Sequence, residues 1–258
     1  MGKGYFAPSV KKAFEILKLI SSMKEGMGIS EIARDLSIAK STVHGMTSAL
    51  EELGVVTRDP QSKRYRLGFT LFELGRIAHS QIDLNSLARP ILEELMEKTE
   101  CSVFLGILNW EHVTILDVVE PRTNLKITSP IGTTIPLLAG AVGKVFLAGM
   151  EEEQAVKLIR EKGLVRYTEN SITDVKHYLQ EIQKVRQLGY AADDEEYLLG
   201  VRAVAAPIKG VRDLMSAIWV VGFKANLNEE KMNLLKTSTI AAAETIDRIL
   251  ESRTAQLR

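Results

Sequence analysis

Ser41, Thr42, His44, Gly45 and Ser48 stand within eight residues of one another. Short hydroxyls, an imidazole and a glycine combine hydrogen-bonding groups with room for close backbone approach. Contact with base edges in the major groove of DNA requires both. Val43, Met46, Leu50 and Leu53 recur among them at helical spacing, so a helix here turns its apolar set inward and its polar set outward. No acid interrupts the polar face before Glu51, whereas a helix facing only solvent more often carries Glu–Lys pairs. Lys40 opens the segment, and Arg58, Lys63 and Arg64 follow it. These four cations suit phosphates, which fix position without specifying sequence.

The flanking residues supply the elements that hold this face. Ile29 to Leu36 reads as a first short helix, with Ser30 as N-cap and Ile32, Ala33 and Leu36 inward. A turn from Ser37 to Lys40 leads into the polar-faced helix, and Gly54 stops that helix as a C′ glycine. Val55 to Arg58, a turn from Asp59 to Lys63, and Arg64 to Leu67 form a strand–turn–strand hairpin with a basic tip, a wing. From Ser9 to Met23, the residues Val10, Ala13, Phe14, Ile16, Leu17 and Ile20 trace one face of a support helix, which Gly26 and Gly28 end. Residues 1–8 form an arm whose Lys3 could meet a phosphate. The competing reading is a three-helix structural module. The ordered run of helix-turn-helix, glycine stop and basic hairpin favours DNA.

Gly68 opens a further helical run, with Leu71, Leu74, Ile77, Ala78 and Ile82 on one face and Pro90 beyond it. It reads as a linker helix. Its stripe needs a partner, either its own domains or the same helix of a second subunit, and two-fold dimers on paired half-sites are common among helix-turn-helix readers.

The remainder alternates differently. Ile91, Leu92, Leu95 and Met96 suggest a short helix. Cys101 to Leu108 and His112 to Val119 are β-rich and joined by a hairpin at Asn109 to Glu111, and Asn124 to Ser129 reads as a further strand. Leu137 to Met150 is apolar and small, Glu151 to Glu161 is a charged amphipathic helix, and Asp174 to Leu188 is a helix ended by Gly189. Tyr190 to Asp193, Ala203 to Ile208 and Leu214 to Phe223 read as strands, the last two joined by a turn at Lys209 to Asp213, and Asn228 to Ser252 is a closing helix. Adjacent hairpins with helices outside them give an antiparallel sheet, hence an α+β class.

Composition narrows the function classes. The 258 residues carry no net charge, but residues 1–70 hold 11 basic against 7 acidic side chains and the remainder 22 against 26. A basic head on a slightly acidic body suits a DNA-binding segment attached to a soluble domain. The single cysteine, Cys101, excludes an intramolecular disulfide and fits a reducing cytoplasm. The sequence has no signal-peptide core and no stretch apolar and long enough to span a membrane. His79, His112, His177 and Cys101 lack metal-ligand spacing. An enzyme is the first rival reading, but no nucleophile–base pairing or phosphate loop supports it, and no cofactor is implied. The second rival is a protein-binding module whose helix-turn-helix serves only assembly.

Several motifs in order carry a resemblance. Lys40-Ser-Thr-Val-His44, Leu50-Glu-Glu-Leu-Gly-Val-Val56, Tyr65-Arg-Leu-Gly68, Ala141-Val-Gly-Lys-Val-Phe-Leu-Ala148, Gly189-Tyr-Ala-Ala-Asp-Asp-Glu-Glu196 and Gly200-Val-Arg-Ala-Val-Ala-Ala-Pro-Ile208 resemble the IclR family of bacterial transcription regulators over nearly the whole chain. The resemblance implies an N-terminal winged helix-turn-helix over residues 1–69, a linker helix used in dimerisation over 70–88, and a GAF-like effector domain over 89–258. It further implies a regulator, by family habit a repressor, that binds double-stranded operator DNA as a homodimer or homotetramer and responds to a small organic effector. It places that effector against Gly140, Ala141, Asp193, Val201, Ala203, Trp219 and Val221, with Leu125 or Ile127 nearby. Gly140 and Ala141 begin a helix and could offer N–H groups to a carboxylate. The first acid of Asp193-Asp-Glu-Glu196 is singled out from a run that otherwise reads as a solvated face.

Two departures bear on specificity. Members often carry Arg at the position of Gly45, so an operator sequence does not carry over. Some acid-binding members have small hydroxyl or thiol residues on the strand holding Trp219 and Val221. The large apolar side chains here imply an effector with a sizeable apolar or aromatic part, and the helix start at Gly140 suits one acidic group on it.

Overall fold

The computed structural model describes residues 7–80, 84–210 and 214–256. Lys3, Ile82 and part of the Lys209–Asp213 turn lie outside the described residues, as do the side chains of Ala78 and His79. The chain divides into two compact units, residues 1–82 and 83–258.

The first unit is three helices and a hairpin: α1 (Pro8–Ser21), α2 (Ile29–Asp35), α3 (Lys40–Glu52), β1 (Val56–Arg58) and β2 (Tyr65–Leu67), followed by α4 (Phe69–Ser80). Ile16, Leu17, Ile20, Met27, Ile32, Ala33, Val43, Val56 and Tyr65 form its core. The antiparallel hairpin pairs Val56 with Leu67 and Arg58 with Tyr65, and Met27 bridges to Tyr65 as a third rung. Two of the expected inward faces differ. Val10 and Phe14 of α1 and Leu53 after α3 are more than half exposed. The apolar stripes are wider than the small core they serve, and Thr47 takes a buried place in α3 by donating its hydroxyl to the Val43 carbonyl. Ser30 is not the cap of α2. Gly28 precedes the helix in extended conformation and donates its N–H to Glu31 Oε2 at 2.8 Å, which draws the Glu31 carboxyl below its ordinary pKa.

The second unit contains α5 (Leu84–Thr99), β3 (Ser102–Asn109), β4 (His112–Val119), β5 (Thr134–Pro136), α6 (Gly140–Ala148), α7 (Glu152–Lys162), α8 (Val175–Leu188), β6 (Ala191–Asp194), β7 (Val201–Ile208), β8 (Ser216–Phe223) and α9 (Glu229–Gln256). Its strands make one antiparallel sheet in the order β5-β4-β3-β8-β7-β6. The class is therefore α+β, with a winged helix-turn-helix ahead of a sheet-and-helix domain. α5 and α9 pack on each other and on the sheet. Side chains of β8 alternate: Ala217, Trp219 and Val221 join the core formed with α6, α7 and α8.

Two elements correct the sequence reading here. Pro90 does not end or precede a helix but lies within α5. One backbone hydrogen bond is lost there, and the continuous buried face Leu84, Ala88, Leu92, Leu95 and Thr99 holds the helix together across it. Residues 124–129 form no strand. The edge of the sheet is completed instead by Thr134–Pro136, which pairs with His112–Thr114.

Candidate functional site

The N-terminal site is a helix face built by its two stops. α2 ends where Ser37 adopts φ +54°, with Ile38 N–H donating to the Ala33 carbonyl and Ser37 N–H to the Arg34 carbonyl. α3 ends where Gly54 adopts φ +67°, with Val55 N–H donating to Leu50 O and Gly54 N–H to Glu51 O. Both are Schellman closures, which favour glycine and here once accept a serine. Between them Ser41, His44 and Gly45 are exposed and Thr42 and Ser48 half-buried. Ser48 Oγ lies 3.1 Å from His44 Nδ1, so these two share a hydrogen bond on the outer face. Nothing lies within 4 Å of where a Cβ on Gly45 would stand, which leaves the backbone open to an approaching partner.

The cations divide into two kinds. Lys40, Arg58 and Lys63 are exposed, with Arg58 resting over the buried Tyr65 ring at 5.6 Å and Lys63 at the hairpin turn with φ +58°. Asp59 organises that turn: its carboxylate accepts from the N–H groups of Gln61 and Ser62 and from Ser62 Oγ, which holds its pKa down. Arg64 is half-buried. Its Nε and Nη2 donate to the Gly26 carbonyl at 3.1 and 3.0 Å, and Nη2 stands 2.9 Å from Glu31 Oε2. Its guanidinium ties the hairpin to the segment between α1 and α2, a role the sequence does not disclose.

The second unit holds a cavity of about 210 Å³ between the sheet, the start of α6 and the loops after β4 and β6. Ile127, Gly140, Ala141, Asp193, Val201, Ala203, Trp219 and Val221 all line it, although they come from five separate stretches of chain. Leu125 does not. It is 74% exposed and borders a neighbouring hollow of about 660 Å³, which shares Ile127 and Val221 with the first. The cavity volume falls below the roughly 300–1,000 Å³ usual for drug-sized ligands and suits a small metabolite.

One wall is aromatic. Trp219 is 4% exposed and stacks on Phe104 of the paired strand, with ring centroids 5.5 Å apart and planes at 11°. Phe104, Ile115, Tyr197, Leu198 and the hydroxyl-bearing run Thr128, Ser129, Thr133 and Thr134 also line the cavity and escaped the sequence reading. For Phe104, the period-2 alternation of β3 carried a usable signal. Ile115 lies in β4, where a strand was expected, Thr134 opens β5, which no local pattern marks, and the rest lie in irregular segments that carry no periodic signal.

Charge enters the lining through Asp193, two strands from Trp219 in the same sheet. The acids that close β6 and follow it are mostly paired with cations, even where, as at Asp194, they reach the surface. Arg202 grips Asp194 through two hydrogen bonds of 2.9 Å, Lys224 pairs with Asp194 at 3.2 Å and with Glu195, and Lys144 Nζ reaches Glu196 Oε1 at 2.6 Å. Lys144 is 1% exposed and also donates to the Ala192 carbonyl at 2.7 Å. Asp193 is left without an ion-pair partner among the described residues. It is 6% exposed, and its Oδ1 accepts the Glu196 N–H at 2.6 Å. Burial pushes its carboxyl up to about 6, against the downward pull of that hydrogen bond; Glu196 raises it further and Lys144 lowers it. Gly140 begins α6 with φ +63°, and a Cβ there would stand 2.8 Å from Asp193 Oδ2. The protein's own carboxylate therefore already faces the helix start expected to receive a ligand's.

Comparison with known proteins matches both units. The model described as "Bacterial transcriptional regulator IclR C-terminal" covers residues 77–248, and the "IclR helix-turn-helix domain" covers residues 9–60. The chain is 32% identical to the HTH-type transcriptional regulator BhcR of Paracoccus denitrificans, over 92% of this chain and 85% of that one. It is 27% identical to the transcriptional repressor IclR of Escherichia coli, over 92% and 88%. A crystal structure of an IclR transcriptional regulator from Alicyclobacillus acidocaldarius superposes with a TM-score of 0.81 at 29% identity, covering 95% of this chain and 99% of that one.

Proposed function

The chain belongs to the IclR family of bacterial transcriptional regulators, a family of regulators rather than enzymes, and on that premise we propose that it represses transcription from an operator it releases or grips according to a bound metabolite. The observation that carries the DNA half is the open outer face of α3, with Gly45 at its centre, in one unit with the exposed cations Arg58 and Lys63 of the hairpin. Ser41, Thr42, His44 and Ser48 read base edges, and Lys40, Arg58 and Lys63 neutralise phosphates. The protein works in the cytoplasm as a homodimer or homotetramer. Leu74, Phe69 and Phe72 on α4 support that assembly, because all three are more than half exposed on one short helix. Residues 1–69 act as the DNA-binding head, 70–88 as the linker and 89–258 as the effector domain.

The effector occupies the cavity beside Trp219 and carries a sizeable apolar or aromatic part. Burying a ring against the Phe104–Trp219 wall contributes on the order of 25 cal/mol per Å², and aromatic pairing adds about 0.5–1.5 kcal/mol. Calorimetry with a panel of small acids checks this; tight binding of glyoxylate or pyruvate with no response to aromatic compounds refutes it.

Operator binding measured across salt concentrations tests the DNA half. Lys63→Ala should weaken binding to all sequences and flatten the salt slope by about 0.9 if it meets one phosphate. Absence of any salt-dependent affinity in the unmodified protein would overturn the reading. Leu74→Glu should shift sedimentation toward the monomer, and an intact dimer of unchanged constant would place the stripe elsewhere.

A further inference from the structure

The cavity's charge is unbalanced in a way the effector must answer. Of the four acids in Asp193-Asp-Glu-Glu196, three have cations of their own: Arg202 and Lys224 for Asp194, Lys224 for Glu195, and Lys144 for Glu196. Asp193 alone lines the cavity, and no Lys, Arg or His is among the described lining residues. A carboxylate bound at the start of α6 would meet the Asp193 carboxylate, which a Cβ on Gly140 would approach to 2.8 Å, and the one cation that faces Asp193, Lys144, is already engaged by Glu196 and does not line the cavity. Two carboxylates at such a distance do not both stay ionised.

We propose that Asp193 sets the charge class of the effector: near neutral pH the cavity admits an uncharged molecule that donates a hydrogen bond to Asp193, and it admits a carboxylate only together with a proton shared between the two acids. Effector binding by an acid is then linked to pH. This rests on the reading of the cavity as the effector site.

The surroundings make such sharing workable. From α6, Lys144 faces Asp193 but is held by Glu196 and the Ala192 carbonyl. From the loop after β6, Glu196 opposes ionisation of Asp193 through its charge and assists it through its backbone N–H, as does the backbone of Tyr197. From α8, Tyr178 feels the charges of Glu196 and Asp193, and its phenol, already raised by burial, donates to the Leu138 carbonyl at 3.3 Å, so it stays neutral. From β7, Arg202 is spent on Asp194 and on the Leu227 carbonyl. Asp193 is thus poised at about 6, close enough to neutral pH for a second acid to drive it into its protonated form.

The test uses the full chain and matched pairs of probes: benzoate with benzamide, phenylacetate with phenylacetamide, and lactate with lactamide. Calorimetry at pH 5.5, 7 and 8 in buffers of different ionisation heat gives affinity and proton uptake together. The amides should change by no more than a few-fold across the three values, since an amide can pair with either protonation state of Asp193. The carboxylates should bind best at pH 5.5, weaken about tenfold per unit above pH 7, and take up about one proton each at pH 8. In Asp193→Asn, which keeps an acceptor for the Glu196 N–H, the carboxylates should lose that pH dependence. Carboxylate affinity unchanged from pH 5.5 to 8, or the same slope in Asp193→Asn, overturns the inference and leaves the effector site standing. Absence of binding by every probe at every pH overturns the site and the inference together. Independently of any ligand, carbon NMR of the Asp193 carboxyl should show titration near 6, and titration in the ordinary aspartate range overturns the inference.

Discussion

The two units treat charge in opposite ways. In the head, Lys40, Arg58 and Lys63 stand in water, and the polar face of α3 has no roof. In the effector unit, Lys144 is sealed on the buried face of α6, three acids are tied to cations, and one acid is left facing a cavity. A surface for a polyanion needs charges that remain hydrated until the partner arrives, since its affinity comes largely from released counterions. A cavity for a small molecule cannot hold hydrated charges. It must satisfy them internally or shift their protonation, and a single unpaired group then controls what enters. The lesson is that the same residue type means different things by depth: an exposed lysine belongs to the partner, and a buried lysine belongs to the fold.

The largest test of that contrast is Lys144. Lys144→Met should destabilise the effector unit by about 3–5 kcal/mol, because Glu196 loses the cation that compensates it in a mostly buried place. Urea unfolding measures this, and the double variant Lys144→Met/Glu196→Gln should recover most of the loss, since a neutral, well-packed pair has no charge to compensate. A single variant as stable as the parent would mean that Lys144 is not tied to the fold by its charge.

Arg64 sharpens the comparison from the other side, as the cation of the head that behaves like those of the effector unit. Arg64→Ala should cost the head about 1 kcal/mol through its bonds to Gly26 and Glu31, discounted for its partial exposure. It should leave the salt slope of DNA binding close to that of the parent, in contrast with Lys63→Ala. A slope flattened as much as in Lys63→Ala would show that Arg64 meets a phosphate after all.

The smallest effect is at Gly45. A glycine within a helix costs roughly 0.5–1 kcal/mol relative to alanine, and the space around it is open. Gly45→Ala should therefore raise the melting temperature of the head by a few degrees while lowering operator affinity, because the added methyl holds the backbone away from the groove. A more stable protein with unchanged affinity would remove Gly45 from the contact surface.

The sequence by itself determined the parts of this protein whose signals are contiguous. The α3 face, its Gly54 stop and the Asp59–Lys63 turn are local: each depends on helical period or turn chemistry within a dozen residues, so the helix-turn-helix and its wing were legible without coordinates. The alternation of strands and outer helices likewise gave the antiparallel α+β class. Of the nine effector residues inferred by resemblance, eight meet in one cavity and Leu125 falls outside it. Tertiary structure alone decided the rest. Pro90 sits inside a helix because a buried face holds that helix on both sides of it, and the strand expected at 124–129 gave way to Thr134–Pro136 because pairing with β4 is chosen by the register of the whole sheet. Lys144 and Glu196 are 52 residues apart in the chain, as Arg64 and Gly26 are 38 apart. Nothing local marks which cation answers which acid. That pairing is fixed only when folding removes both groups from water, and it leaves Asp193 as the acid facing the cavity.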